Sequence, residues 1–320
     1  MEIVITGSIA YDYLMTFPGY FKEHLLPDKL DRVSLSFLVD QLDKHFGGTA
    51  PNIAYTLALL GERPKVLGTA GKDFDPYREW LEAAGVDTSA IVQLDHVFTA
   101  SYFANTDRDN NQIASFYAGA MAHAKDYTLA NIVDSMPDLV VITPNDPTAM
   151  IQLKDECVAN GVPFMFDPSQ QVLRLDRDFL CSGIECANTL VCNEYEFELI
   201  QDKTRLDRDA ILNHVQVLIV TLGAQGSVIY ADGEEHRIPA APVAHIVDPT
   251  GVGDAYRGGL LKGMALGWPW PISGRVGAVC AAYALEQVGP QNHRYSRQEF
   301  VQRFRASFDD EGLLDALLAD

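Results

Sequence analysis

Asp248–Gly259 reads DPTGVGDAYRGG, and its reading decides the fold. Glycines at 251 and 253 let the backbone turn tightly and point successive amides to one side. A long apolar helix follows, predicted over Gly253–Leu266, and the apolar run before the turn, Val243–Val247, reads as a strand. Strand, glycine turn and helix N-terminus together make an anion pocket from backbone alone. Asp254 stands at its mouth. A carboxylate there repels a phosphate at rest. It suits a general base that takes a proton from a hydroxyl while that oxygen attacks phosphorus. The pocket then stabilises charge on the transferring group. The other reading of Asp254 is an aspartate that caps the helix beginning there.

Outward from this loop the chain alternates short apolar runs with helical segments. Leu139–Thr143, Pro163–Asp167, Thr189–Asn193 and Val217–Thr221 are strand-like, as is Glu2–Thr6 near the start. Such alternation implies a mostly parallel sheet with helices on both faces, a three-layer α/β/α core. Gly226–Tyr230 and Glu235–Ile238 suggest an antiparallel pair at one edge. Asp75–Ala84, ended by Gly85, reads as a helix, and Ile272–Gln287 and Ser296–Phe308 read as further helices. Around Ala50–Leu60, a predicted helix, Gly47 and Gly48 form a hinge and Gly61 a stop. Asn52 in its first turn either holds a substrate hydroxyl or satisfies local backbone. Two segments break the rhythm. Turn residues interleave with apolar alternation from Tyr13 to Phe46, including Val33–Phe37. Phe98–Asn105 and Gln112–Ala118 flank the turn DRDNN. The picture is one domain, with its core over 1–12, 47–97 and 122–320 and a small β-sheet lid from insertions 13–46 and 98–121. Gln112 and Phe116 share one face of the lid, where one could bond a base edge and the other stack on it. Alternatively, Phe116 packs within the lid or in a dimer interface.

Charge excludes several classes. Lys+Arg is 24 against Asp+Glu 44, a net −20. A chain this acidic does not suit a nucleic-acid backbone or an anionic membrane. The five cysteines form no CxxC and suit reduced thiols in a cytoplasmic protein, with core positions favoured over metal ligands. No basic leader precedes the first apolar run, and no apolar stretch reaches the length of a membrane span. A dinucleotide fingerprint, a Walker loop, an HExxH and a GxSxG elbow are all missing.

Taken together, Gly47–Gly71 and Asp248–Gly259 resemble the two signatures of the PfkB, or ribokinase, family of carbohydrate and nucleoside kinases. Asn193-Glu194-Tyr195-Glu196 is similar to that family's NxxE motif, and Thr221–Gly226 (TLGAQG) to its ATP-contacting turn. Within the family, GSIAYDYLMTF (Gly7–Phe17), DRDNNQIASFYAGAM (Asp107–Met121), PFMFDPSQ (Pro163–Gln170) and VDPTGVGDAYRGGLL (Val247–Leu261) resemble archaeal and bacterial nucleoside kinases, including adenosine kinases. The resemblance implies an ATP-dependent nucleoside kinase. Asp254 would be the base for a 5′-hydroxyl, and the amides of Gly251, Val252 and Gly253 would cradle the phosphoryl group. Asp12 would accept from the ribose hydroxyls, helped by Gly47, Gly48 and Asn52. Asn193 and Glu196 would hold Mg2+ through water. Thr221, Gly223 and Gly226 would line the ATP site together with Asn193, Gly251 and Gly253. Asp248 and Thr250 would bind a monovalent cation such as K+. The family prefers a small residue at 252, so Val252 is expected to keep its amide free while its side chain narrows the phosphate approach. Partners would be the nucleoside and ATP, and exposed lid edges offer a route to a homodimer. The rivals are a sugar kinase of the same family, acting on ribose or fructose, and a ligand-binding regulator on a kinase scaffold that has lost its activity.

Overall fold

Ile3–Thr6 (β1) sends Ile3 and Ile5 into one apolar layer and Val4 into another, so a buried strand of four residues already separates two cores. A computed structural model describes residues 1–24, 35–133 and 135–319. The remaining strands are Ala10–Thr16 (β2), Gln41–Gly47 (β3), Lys65–Gly71 (β4), Ile91–Leu94 (β5), Ala100–Thr106 (β6) and Gln112–Tyr117 (β7). They continue with Leu139–Ile142 (β8), Phe164–Phe166 (β9), Thr189–Asn193 (β10), Val217–Thr221 (β11), Ser227–Ala231 (β12) and Glu234–Ile238 (β13). The longer helices are Thr49–Leu59 (α1), Asp75–Ala84 (α2), Pro147–Asn160 (α3), Arg177–Cys186 (α4), Glu194–Thr204 (α5), Val252–Ala265 (α6), Trp270–Leu285 (α7) and Arg297–Ser307 (α8).

A nine-stranded sheet runs β13-β12-β11-β10-β9-β8-β1-β4-β5. Neighbours from β11 to β5 are parallel, and β12 and β13 add antiparallel at one edge. The alternation of β1 recurs in β11, where Val217 and Ile219 face one layer and Leu218 and Val220 the other. The first layer holds Leu57 of α1, Leu260 of α6, Val279 of α7 and Phe304 of α8. The second holds Leu153 of α3, Leu180 of α4 and Ile200 of α5. This is the expected α/β/α core with its edge pair. The predicted spans for α2, β10 and β11 coincide with those observed. Of the cysteines, Cys157, Cys192 and Cys280 are buried, whereas Cys181 and Cys186 sit on α4 nearer the surface. Among the described residues no helix is long and apolar enough to cross a membrane.

A second, four-stranded sheet runs β3-β2-β6-β7. β2 and β3 pair antiparallel from Ala10↔Gly47 to Thr16↔Gln41, and β6 and β7 form the hairpin expected around DRDNN. Between β2 and β3 the expected alternation Val33–Phe37 is described only in part. Its first two residues lie outside the described residues, and Leu35–Phe37 is irregular. Phe37 instead packs edge-on against Phe17 and Phe21. Val243–Val247 is a second correction. It is not a strand but runs past the end of α7, where the Val247 amide donates to the Leu285 carbonyl at 2.9 Å. That carbonyl belongs to the last turn of α7 and has no partner within the helix, so an apolar run that alternates like a strand is held by a helix end instead.

Candidate active site

Parallel strands end on one side of the main sheet, and their carboxyl ends are the usual place for a ligand crevice. Here Ser8 follows β1, Ser169 and Gln170 follow β9, Asn193 ends β10 and Thr221 ends β11. All five line one cavity of about 510 Å³. The start of α6 closes it with Thr250, Gly251, Gly253 and Asp254, and α1 contributes Asn52. The small sheet supplies the opposite wall. Asp12, Tyr102 and Phe116 lie side by side across β2, β6 and β7 and all face the cavity.

Gly251 caps α6 at φ 74°, a left-handed conformation that side chains resist. A Cβ there would also lie 2.4 Å from Pro290. The turn leaves the amides of Gly251, Gly253 and Asp254 without an acceptor among the described residues. Val252 departs from expectation on both counts. Its amide donates to the Pro249 carbonyl at 3.3 Å, and its side chain packs on the core rather than into the cavity. The first turn of a helix rotates successive side chains by about a quarter-circle, so Val252 points inward while Gly253 and Asp254 face the site.

Asp254 is held from α1. Asn52 Nδ2 donates to its Oδ2 at 2.8 Å, and the buried Gln291 donates to Asn52 Oδ1 at 2.8 Å. Gln291 also bonds the buried Tyr77 hydroxyl, which donates to the Gly47 carbonyl at 2.9 Å. Burial pushes the Asp254 carboxyl up to about 7. The Arg257 charge and the Asn52 bond pull it down, and the charges of Asp167 and Asp12 push it further up. Asp12 is raised to about 6 by burial and by the nearby charge of Asp248. Gly47 lies under it, so close that a Cβ would meet Asp12 Oδ2 at 2.4 Å.

The remaining predicted residues divide. Asn193 and Glu196 line the cavity and form the capping box of α5, each side chain accepting the other's amide at 2.8 and 2.9 Å. Burial, then the charge of Asp167, raises the Glu196 carboxyl. Gly223 and Gly226 form the turn after Thr221 and lie outside the lining. Asp248 also lies outside it. Burial raises this carboxyl, but hydrogen bonds from Thr250 and Gly289 outweigh that and lower it. Gln112 shares a face with Phe116 but sits four residues along β7, roughly 13 Å away at strand rise, where it bonds Thr106 Oγ1 at 3.2 Å. Residues the sequence reading passed over are Tyr102, Gln291 and the buried pair Arg257–Asp167. The PFMFDPSQ segment was the available signal for Asp167.

Free helix-start amides beside a largely buried carboxylate, at the carboxyl ends of a parallel sheet, make the site of a phosphotransferase that acts on an alcohol group. The chain belongs to the pfkB family of carbohydrate kinases, which it matches over residues 7–296. A nucleoside kinase of Methanothermobacter thermautotrophicus is 30% identical over 97% of this chain and 97% of its own length. The structure of Burkholderia thailandensis nucleoside kinase in complex with ADP-inosine superposes with a TM-score of 0.83 at 39% identity, covering 96% of each chain. The Methanocaldococcus jannaschii nucleoside kinase structure gives 0.86 at 29% identity, covering 96% of this chain and 99% of that one.

Proposed function

We propose that this chain is an ATP-dependent nucleoside kinase that transfers the γ-phosphoryl group of ATP to the 5′-hydroxyl of a ribonucleoside. The observation that carries this reading is Asp254, oriented by Asn52 beside the free amides of Gly251 and Gly253. Asp254 takes the 5′-hydroxyl proton as the O5′–Pγ bond forms. The bond from Pγ to the bridging oxygen breaks, and its electron pair leaves with ADP. A carboxyl held near 7 is poised for that task at neutral pH. The free amides donate to the phosphoryl oxygens as charge builds on them.

On the opposite wall, Asp12 accepts from the ribose 2′- and 3′-hydroxyls, and the rings of Tyr102 and Phe116 face the base. Thr221, Gly223 and Gly226 lie along the ATP, with Asn193 at its phosphates. The small sheet is the lid over residues 13–46 and 98–121, and its closure keeps water from the phosphoryl group. Glu196 has one oxygen on the Asn193 amide and the other without a partner among the described residues. No three His, Cys, Asp or Glu side chains among the described residues close around an ion. That donor set fits Mg2+ held mainly by phosphates and water, with Asn193 and Glu196 beyond the water. When bound, the ion neutralises phosphate charge. A monovalent cation at Asp248 and Thr250 is checked by comparing kcat in K+ and Na+ buffers. The edges at β3 and β7, unpaired among the described residues and with Leu42 and Ile113 exposed, suit pairing with a second copy, which light scattering reads directly.

A coupled ADP-release assay tests the function over adenosine, inosine, guanosine, cytidine, uridine, ribose and fructose. Turnover is expected on one or more ribonucleosides and not on the free sugars. Turnover on sugars alone overturns the substrate class.

A further inference from the structure

Arg257 lies one helical turn beyond Asp254 on α6 and is buried. It is the one basic side chain among the described residues that line the cavity, whose wall also carries the carboxylates of Asp12, Glu196 and Asp254. A chain of net charge −20 thus brings a triphosphate to a site with three carboxylates and a single cation.

The guanidinium is fixed from behind. Its Nη2 donates to Asp167 Oδ1 at 2.9 Å and to Ser169 Oγ at 3.2 Å, and its Nε stands 2.6 Å from Asp167 Oδ2. Asp167 is fully buried and also accepts from Ser169 Oγ at 2.6 Å. Ser169 is held at φ 38°, a left-handed conformation that costs a serine free energy. Nη1 is left over. It has no hydrogen-bond acceptor among the described residues, and Asp254 Oδ1 is 3.8 Å away, beyond bonding distance. A Cβ on Gly253 would lie 2.8 Å from Nη1, so this nitrogen stands against the turn that carries the free amides.

We infer that Arg257 is a fixed charged donor of the phosphoryl site, its Nη1 donating to an oxygen of the group in transfer beside the amides of Gly251 and Gly253. The inference rests on the kinase reading above. A pair built only to join α6 to the loop after β9 has no need of an unused nitrogen at the anion turn. A planar fork held by one hydrogen bond and a close ion-pair contact to the same carboxylate leaves the remaining nitrogen aimed, which a lysine cannot reproduce. The donor therefore acts without reorganising when charge develops.

The test begins with wild-type turnover on the ribonucleoside panel. Silence there defeats the kinase reading itself and is distinct from the outcomes that follow. Given turnover, Arg257→Lys is expected to lower kcat roughly hundredfold, the effect of removing one such donor. KM for nucleoside and ATP should stay within threefold, and the acid limb of the pH profile should not move. Arg257→Ala alone leaves the Asp167 carboxylate buried without a counter-charge, with only Ser169 donating to it, and can unfold the chain. The double variant Arg257→Ala/Asp167→Asn removes both charges. It is expected to bind ATP as wild type does, to show the same loss in kcat, and to recover activity with millimolar guanidinium but not methylammonium. A double variant within threefold of wild-type kcat overturns the inference. So does an Arg257→Lys loss that disappears on raising the pH, because Arg257 would then act only through the ionisation of Asp254.

Discussion

The two walls of the cavity are built differently. On the core side, Asp254, Asn52, Gln291 and Tyr77 are linked in one chain of hydrogen bonds reaching from α6 through α1 to α2, and each of these side chains is at least mostly buried. On the small-sheet side every residue of β7 is exposed, and Phe116 is 51% accessible. Groups that must hold a proton and a phosphoryl group in one geometry stand on packed helices. Groups that must admit and release a substrate stand on a small sheet whose outer strand β7 is exposed. Substitutions on the first wall should therefore change kcat, and those on the second KM.

The largest effect is expected at Asp254. Asp254→Asn keeps the shape and the Asn52 contact but removes the base, and kcat should fall about a thousandfold, within the range for general-base loss. ATP affinity, measured by calorimetry, should stay within threefold. Near-normal turnover would remove Asp254 from the mechanism and with it the contrast between the walls. Asn52→Ala is the next largest. Its hydrogen bond favours the charged carboxylate, so its loss moves the Asp254 pKa upward from about 7. The acid limb of kcat/KM follows that pKa because the base must be ionised. The variant should lose most activity at pH 6 and least at pH 8.5. A limb unmoved from wild type would show that Asn52 does not act on Asp254.

On the other wall, Asp12→Asn should raise nucleoside KM by about 10- to 100-fold, the worth of hydrogen bonds to a charged group. The ATP KM should change little. Wild type should discriminate against 2′-deoxynucleosides and Asp12→Asn should not. Equal losses for both substrates would place Asp12 away from the ribose.

The legible parts of the molecule were those written in local order. The span of α2 could be read because Pro76 and Gly85 punctuate it, and those of β10 and β11 because uninterrupted apolar runs end at Asn193 and Thr221. Asp254 and the amide turn could be read because glycines and a carboxylate fall within one short segment. Asp167 and Arg257 are 90 residues apart, and nothing local joins an aspartate after one strand to an arginine inside a later helix. Tyr102 was invisible for a similar reason. Its place beside Asp12 and Phe116 is set by strand register between three segments. Val252 was misjudged because its direction depends on where α6 starts, one residue before the predicted position.

Phe116 and Gln112 give the smallest effects and the finest test of the second wall. They share one face of β7, and local sequence gives no reason to prefer either. Register does: Phe116 pairs with Tyr102 at the cavity, whereas Gln112 pairs with Thr106 at the far end of the sheet. Phe116→Ala should raise nucleoside KM about fivefold, on the order of 1 kcal/mol of lost ring contact, with kcat unchanged. Gln112→Ala should change both constants by less than twofold. If Gln112→Ala instead cost more than Phe116→Ala, the base would reach further along β7, and the lid would have to close by more than a residue's width to bring Gln112 over it.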